Sequence, residues 1–111
     1  MNLSNKVFEL IENQDGLAAS KTKMVFDNSI SPYRATYSGD NVHYGNAIVS
    51  ASGNEVSMLY QALTKEGELV AGKAKVYLTS PDSQLLKMQL HWQWLTGDMS
   101  SGISHWCEID T

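Results

Sequence analysis

Leu85-Leu-Lys-Met-Gln-Leu-His-Trp-Gln-Trp-Leu95 is the stretch that decides the fold. Apolar and polar side chains alternate strictly along it, with the apolar ones at Leu86, Met88, Leu90, Trp92 and Trp94 and the polar ones at Lys87, Gln89, His91 and Gln93. Successive side chains of a β-strand point to opposite faces of a sheet, so the alternation predicts a strand with one buried face. Whatever covers the two tryptophans determines the rest of the architecture.

The same rhythm continues on both sides of this strand. Short segments rich in β-formers are separated by turns rich in Gly, Asn and Asp, which supply positive φ angles or local side-chain hydrogen bonds. The predicted strands are Lys21–Phe26, Tyr33–Ser38, Val42–Ala51, Glu55–Leu63, Leu69–Ser80, Leu85–Thr96 and Gly102–Ile109. Such short connections predict an antiparallel meander of six to seven strands that closes as a barrel or half-barrel, because open sheet edges invite aggregation.

The N-terminal segment has helical spacing instead. Leu3, Val7, Leu10 and Ile11 recur at i, i+4, i+7 and i+8, which predicts an amphipathic helix docked on the sheet. The resulting fold class is mainly β, with one helix. We expect a single domain over residues 1–111, with the helix in residues 1–16 and the barrel or sheet in residues 17–111.

Composition and charge exclude several function classes. The formal net charge is -4, Arg34 is the only arginine and no basic run occurs, so nucleic-acid binding through phosphate contacts is not expected. No apolar run approaches the length of a membrane span, and the N-terminus lacks the apolar core of a signal peptide. The lone Cys107 rules out an internal disulfide and fits a reducing cytoplasm. We therefore expect a cytoplasmic protein without a membrane partner.

Metal and catalytic signatures are weak. His43, His91 and His105 are not spaced as a local zinc motif, so no metal ligand, cofactor or catalytic residue is predicted. His105 and Cys107 fall on one face of the last strand, and His91 approaches them if the last two strands form a hairpin. A Cys107 nucleophile with a histidine base is the alternative that this spacing leaves open.

The aromatic residues carry more information. Almost all lie on predicted strands, where aromatics either fill a core or line a small-molecule pocket with a few polar groups. The candidate ligand-binding residues are Tyr44, Tyr60, His91, Trp92, Gln93, Trp94 and Trp106. Facing strands carry small residues, among them Gly45, Ala47, Gly72 and Ala74. Small residues opposite tryptophans either interdigitate into a filled core or leave a cavity, and periodicity alone does not choose between these outcomes.

Three segments together carry a resemblance. The run Tyr33-Arg-Ala-Thr-Tyr-Ser-Gly-Asp-Asn-Val-His-Tyr-Gly45, with the later Leu90-His-Trp-Gln-Trp-Leu95 and Gly102-Ile-Ser-His-Trp106, resembles a small lipocalin-like (calycin-type) barrel. The chain also resembles orphan bacterial proteins carried on mobile gene cassettes. The resemblance covers residues 33–110 at the level of strand rhythm. It implies an apolar ligand held within the barrel.

Three functions follow as hypotheses. The first is a non-catalytic protein that binds a small apolar or aromatic molecule in an aromatic-lined pocket. The second is a protein-interaction or homodimerisation module that uses a sheet face or a sheet edge. The third is a small enzyme of the isomerase or cyclase type with His91 or His105 as general base.

Overall fold

A computed structural model of the chain describes residues 2–13, 22–30, 32–39, 41–52, 55–80 and 85–109. Within these ranges the strands are β1 (Val7–Asn13), β2 (Lys23–Phe26), β3 (Tyr33–Ser38), β4 (Val42–Ser52), β5 (Glu55–Thr64), β6 (Leu69–Thr79), β7 (Lys87–Trp94) and β8 (Ser101–Ile109). Each strand pairs antiparallel with the next, and β1 also pairs with β8. The sheet is therefore a closed eight-stranded barrel.

Strand β7 confirms the prediction made from its alternation. Met88, Leu90 and Trp92 are buried and point into the barrel, while Lys87 and His91 are exposed on the outside. Strand β7 pairs with β6 from Lys87 to Trp94 and with β8 from Lys87 to Gln93, so its inner residues lie beside inner residues of both neighbours. The remaining predicted strands are confirmed to within a few residues at their ends, although Lys21 itself lies outside the described residues.

The predicted N-terminal helix is wrong. Val7–Asn13 is a β-strand, and within the described part of the chain no residue is helical. Phe8 and Leu10 point inward with a two-residue period, whereas Ile11, which the helical pattern placed on the apolar face, is 64% exposed. Pairing with both β2 and β8 supplies this segment with two ladders of backbone hydrogen bonds, and this tertiary gain outweighs the local helical spacing. Gly16, the expected cap, lies outside the described residues.

This reassignment corrects the strand count and the barrel closure together. The sequence predicted six to seven strands and allowed a half-barrel, because the first strand was interpreted as a helix. With β1 between β8 and β2 the barrel has eight strands and is closed. Closure pairs the backbone hydrogen-bonding groups that a half-barrel would leave unpaired at its edges.

None of the described segments forms a helix with the length and apolar content that a membrane crossing needs.

The two ends of the barrel differ. We call one end the base: here the segment 2–6 leads into β1, and Leu3 is fully buried in the core. Asn5 N donates to Asp27 O at 2.9 Å, and Lys6 Nζ contacts Glu108 Oε2 at 3.2 Å. We call the opposite end the mouth: it carries the β5–β6 loop at 65–68, the β7–β8 loop at 95–100 and Asn41.

Two glycines inside the barrel are covered by tyrosines. Tyr37 lies opposite Gly45 and Tyr60 opposite Gly72, and a Cβ added to either glycine would lie 2.4 Å from the tyrosine ring. The rings therefore occupy the space that the missing side chains leave, an arrangement that stabilises glycine in sheets. At these two positions the small residues belong to a filled core and not to a cavity.

Candidate functional site

The mouth of the barrel holds a concave pocket of about 430 Å³. Its lining residues come from three neighbouring connections and the strand ends beside them: Asn41, Thr64, Lys65, Glu66, Glu68, Val70, Trp94, Thr96, Gly97 and Asp98. A volume of this size falls within the range of roughly 300–1,000 Å³ that is typical of small-molecule sites.

Trp94 forms the apolar floor of this pocket together with Val70. Its indole meets the ring of Tyr60 edge-on, with ring centroids 5.3 Å apart and planes at 74°. Behind it, Trp92 lies with its ring centroid 6.4 Å from that of Trp94. Each partner is itself packed against the barrel core, so the floor is held in place from beneath. Aromatic pairs in such tilted or edge-to-face arrangements are favourable beyond the area that they bury.

The rim loops of the mouth are tied by hydrogen bonds. Thr64 N donates to Glu68 O at 2.9 Å, and Glu68 N donates to Thr64 Oγ1 at 3.0 Å, which closes the β5–β6 loop. Lys65 N donates to Asn41 O at 3.2 Å and so links two loops. Gly67 adopts a φ of 89°, which a residue with a side chain rarely does. The rim is therefore preorganised, which reduces the entropy that binding costs.

The β7–β8 loop is held in a similar way. Trp94 N donates to Ser100 O at 2.8 Å, Leu95 N donates to Ala71 O at 2.8 Å and Ala71 N donates to Thr96 Oγ1 at 3.3 Å. The hydroxyls of Thr64 and Thr96 accept backbone N–H groups in this way, and each still has an O–H to offer to a ligand oxygen. The floor residue and two hydroxyl donors are thus fixed around one pocket.

Carboxylates dominate the charge of the rim. Glu66, Glu68 and Asp98 line the pocket with Lys65 as the one cationic side chain among its lining residues. Asp98 Oδ1 accepts a hydrogen bond from Ser100 N at 2.9 Å. The backbone and hydroxyl donors of Ser100 hold the pKa of the Asp98 carboxyl below its usual range. This carboxylate is therefore charged at neutral pH.

The tyrosines near the mouth are uncharged donors. Tyr37 Oη donates to Gln61 O at 3.2 Å. Burial raises the pKa of both Tyr37 and Tyr60 well above the ordinary value of 10.0, and Tyr60 adds to the shift at Tyr37. Both phenols therefore keep their protons at neutral pH.

The two fully inward tryptophans differ in their hydrogen bonding. Trp106 Nε1 donates to the buried Ser104 Oγ at 2.9 Å. Trp92 is only 6% exposed, yet its Nε1 has no acceptor among the described residues. A buried donor without a partner forgoes a favourable interaction and is uncommon in folded proteins. The Trp92 indole lies directly behind Trp94, the floor residue of the mouth.

The predicted ligand-binding residues separate into two groups. Tyr60, Trp92, Trp94 and Trp106 point into the barrel, although Trp106 lies in the half nearer the base, opposite Met88. The other three, Tyr44, His91 and Gln93, lie on the outer face and do not line the interior. For Tyr44 the reason is an irregularity in register between Val42 and Tyr44, which turns its side chain outward to 51% exposure.

His91 and Gln93 lie together in a shallow groove outside the barrel. It has a volume of about 510 Å³, and its apolar residues include Ile48 and Leu59. His91 Nε2 lies 2.8 Å from Gln89 Oε1, and its ring meets the ring of Tyr77 with centroids 4.7 Å apart. Because residues of opposite parity on β7 face opposite sides of the sheet, His91 and Trp92 do not share one pocket.

The structure also bears on two chemical alternatives, a metal site and a Cys107 nucleophile with a histidine base. His91 pairs with Ile103 across the β7–β8 ladder, while Cys107 pairs with Lys87 and Glu9, so His91 does not join a His–Cys pair. Among the described residues, no group of three or more His, Cys, Asp or Glu side chains is arranged to hold a metal ion. His105 is exposed on the outer face, as His91 is.

Sequence reasoning missed the rim of the mouth. The sequence places Thr96 at the end of a predicted strand and Asp98 in a turn, and it assigns no element or role to Thr64 and Glu68. A signal for these residues is present in the sequence. The turns at 65–68 and 95–100 both contain glycine, and alternate turns of a meander lie at the same end of a barrel.

Comparison with known proteins identifies a family. A family model described as "Avidin-like protein" matches residues 1–109. No curated protein and no solved structure gives a match. The match covers nearly the whole chain and agrees with the closed eight-stranded antiparallel barrel and with the calycin-type fold expected from the sequence. The chain belongs to the avidin-like protein family.

Proposed function

We propose that this protein is a non-catalytic binding protein that takes a small apolar or aromatic molecule at the mouth of the barrel. The observation that carries the proposal is the pocket of about 430 Å³ with the Trp94 indole as its floor. Membership of the avidin-like family supports it, because that family binds small ligands such as biotin.

The binding energy in this proposal comes from the floor. A ligand that covers the indole of Trp94 and the side chain of Val70 removes apolar surface from water, which contributes roughly 25 cal/mol per Å². The hydroxyls of Thr64 and Thr96 orient the ligand by donating to its oxygen atoms. Tyr60, Trp92 and Trp94 are the interior members of the predicted site that we assign to it, with Tyr60 and Trp92 acting as the support of Trp94. Trp106 we assign to the core.

Titration of tryptophan emission tests the proposal, with biotin and a panel of small aromatic compounds as probes. We expect at least one probe to change the emission saturably and the Trp94→Ala variant to lose about tenfold or more in affinity for it. Trp106→Phe is the matched control, because it removes an indole from the base half and should leave the affinity unchanged. The proposal fails if no probe binds, or if Trp94→Ala binds as tightly as the unmodified chain.

A second candidate function, homodimerisation through the sheet, rests on a different surface. Ile48 on β4 and Leu59 on β5 pair across the ladder on the outer face, and they are 53% and 60% exposed. Adjacent exposed apolar residues of this kind are typical of association surfaces, and a two-fold dimer is the commonest product. The edge version of this hypothesis is not retained, because the closed barrel pairs β1 with β8.

Analytical ultracentrifugation of two charged variants tests this second candidate. Leu59→Glu would place a carboxylate within the outer patch and should convert a dimer into a monomer. Ile11→Glu, on the exposed face of β1, should leave the sedimentation unchanged. An unmodified chain that sediments as a monomer at high concentration excludes the dimer.

A cytoplasmic location and a bacterial origin stay predictions from the sequence.

A further inference from the structure

We infer that the barrel interior holds a bound water molecule against β7 and β8, where the indole N–H of Trp92 and the hydroxyl of Ser104 both donate to its oxygen. Neither residue lines the mouth pocket, and Trp92 lies behind the floor residue Trp94. The inference therefore concerns a second, interior site and does not depend on the proposed function.

The first donor of this site is the indole of Trp92. Its side chain is on the inner face of β7, and only 6% of the residue is exposed. Its Nε1 atom is itself shielded from solvent, and no described residue accepts its proton. Buried polar groups of folded proteins are bonded to protein or to ordered water in the great majority of cases. An oxygen acceptor is therefore expected at this nitrogen.

The second donor is the hydroxyl of Ser104, which is 3% exposed. Its Oγ atom accepts the N–H of Trp106 at 2.9 Å. A serine hydroxyl also carries one proton of its own, which this bond does not use. Ser104 can therefore donate to a second oxygen while it holds the Trp106 indole.

The β7–β8 ladder brings the two donors together. Trp92 pairs with Gly102 and Leu90 pairs with Ser104, so Trp92 and Ser104 are diagonal neighbours on the inner face. Such neighbours lie roughly 7–8 Å apart at the backbone, a separation that an aromatic side chain can span. Gly102 has no side chain to occupy the inner face beside them. One oxygen atom held by two hydrogen bonds matches this arrangement.

The surroundings of the site select a neutral acceptor. Across the β6–β7 ladder, Ala74 lies opposite Trp92 and Val76 lies opposite Leu90, and all four residues are buried in the core. An ion in such an apolar environment would lose its hydration at a large cost in free energy. A water molecule carries no charge, and buried waters in proteins bind about two to four polar groups, so the two donors suffice.

A high-resolution crystal structure of the unmodified chain tests the inference directly. We expect one isolated peak of electron density at about 2.7–3.2 Å from both Trp92 Nε1 and Ser104 Oγ. Three results would overturn it: no peak at this position, a protein atom that accepts the Trp92 proton, or continuous density of a larger molecule that reaches Trp92 from the mouth. None of these results decides the proposed function, which is tested by the affinity of the Trp94→Ala variant.

Two variants provide the second measurement. Trp92→Phe removes the N–H and keeps an aromatic ring, so the occupancy of the peak should fall by about half or more, because a single protein donor remains. Ser101→Ala, at an exposed position on the outer face of β8, is the matched control and should retain the peak at full occupancy. A peak of unchanged occupancy in Trp92→Phe would show that the indole does not hold the water and would overturn the inference.

Discussion

The base and the mouth of the barrel are built from the same eight strands but differ in how completely their side chains are packed. At the base the core is complete: Leu3 and Phe8 are fully buried, and Phe8 meets Phe26 edge-on with centroids 5.9 Å apart. Glu108 accepts a hydrogen bond from Leu86 N at 2.9 Å as well as contacting Lys6. At the mouth, the aromatic floor of Trp94 is only half-buried beneath a carboxylate-lined rim.

This difference indicates that the base stabilises the fold and that the mouth offers the surface for binding. Close-packed apolar contacts at the base have no space for a ligand, and their loss leaves a cavity. The mouth has a concave surface and fixed loops, and behind its floor lies an indole donor with no partner in the part of the chain that the structure describes. Substitutions at the base should therefore change the free energy of unfolding, whereas substitutions at the mouth should change affinity.

The largest expected effect is at the base. Phe8→Ala should lower the free energy of unfolding by about 3–5 kcal/mol, because it removes a fully buried ring and its contact with Phe26. Denaturant titration measures this loss, and Trp94→Ala is the comparison at the mouth. Since Trp94 is only half-buried, its truncation should destabilise the fold less while affecting ligand binding more. A larger loss of stability from Trp94→Ala would reverse the roles of the two ends.

A smaller effect is expected inside the mouth half of the barrel. Gly72→Ala should cost about 1–3 kcal/mol, because the new Cβ would lie 2.4 Å from the Tyr60 ring. In a Tyr60→Ala background the same substitution should cost little, since the ring that it meets is gone. Thermal unfolding of the two single variants and the double variant gives the coupling. Additive losses would show that the ring does not occupy the space over the glycine.

The two inward tryptophans sharpen the comparison further. Trp106→Phe removes a donor that is bonded to Ser104, whereas Trp92→Phe removes one that has no partner among the described residues. Both changes remove similar volume, so Trp106→Phe should cost about 1–2 kcal/mol more, because it leaves the buried Ser104 hydroxyl without its donor. Adding Ser104→Ala to Trp106→Phe should recover part of this loss. Equal costs for the two Phe variants, measured by denaturant titration, would contradict this account.

The pH dependence at the alkaline end is the subtlest effect. Burial raises the pKa of Tyr37 in the folded chain above its ordinary value of 10.0, so the folded state retains a proton that the unfolded state loses. Stability should be unaffected by this group below pH 10 and should fall above it, by up to about 1.4 kcal/mol per pH unit. Tyr37→Phe should reduce this slope, while the outer-face Tyr77→Phe serves as control. An unchanged slope in Tyr37→Phe would show that its phenol is not shielded.

Much of this fold could be predicted from the sequence, because one inner and one outer face impose a two-residue period. That period correctly located β7 and most other strands. It failed at residues 3–14, where the apolar residues satisfy a helical spacing by coincidence. Leu3 is buried at the base before the strand begins, and Ile11 is exposed on the outer face. The choice between helix and strand there is made by pairing with β8, which lies nearly a hundred residues away in sequence.

Less of the site could be predicted. Alternation separates Trp92 and Trp94 from His91 and Gln93, but does not say which face is interior, so both sets were retained as candidates. The outward turn of Tyr44 depends on a register irregularity that no local pattern reveals. The fit of Tyr60 over Gly72 depends on the pairing of β5 with β6, and only that pairing distinguishes a filled position from a cavity.

The indole N–H signals of the three tryptophans test the central claim most directly. They are recorded by ¹H–¹⁵N NMR during a titration with the probe, from biotin and the small aromatic compounds, that changes the tryptophan emission most. Each signal is assigned by its loss in one Trp→Phe variant. The division into a binding mouth and a packed base predicts a large, saturable shift for Trp94, a smaller one for Trp92 behind it and none for Trp106. A shift centred on Trp106, or equal shifts for all three indoles, would contradict it.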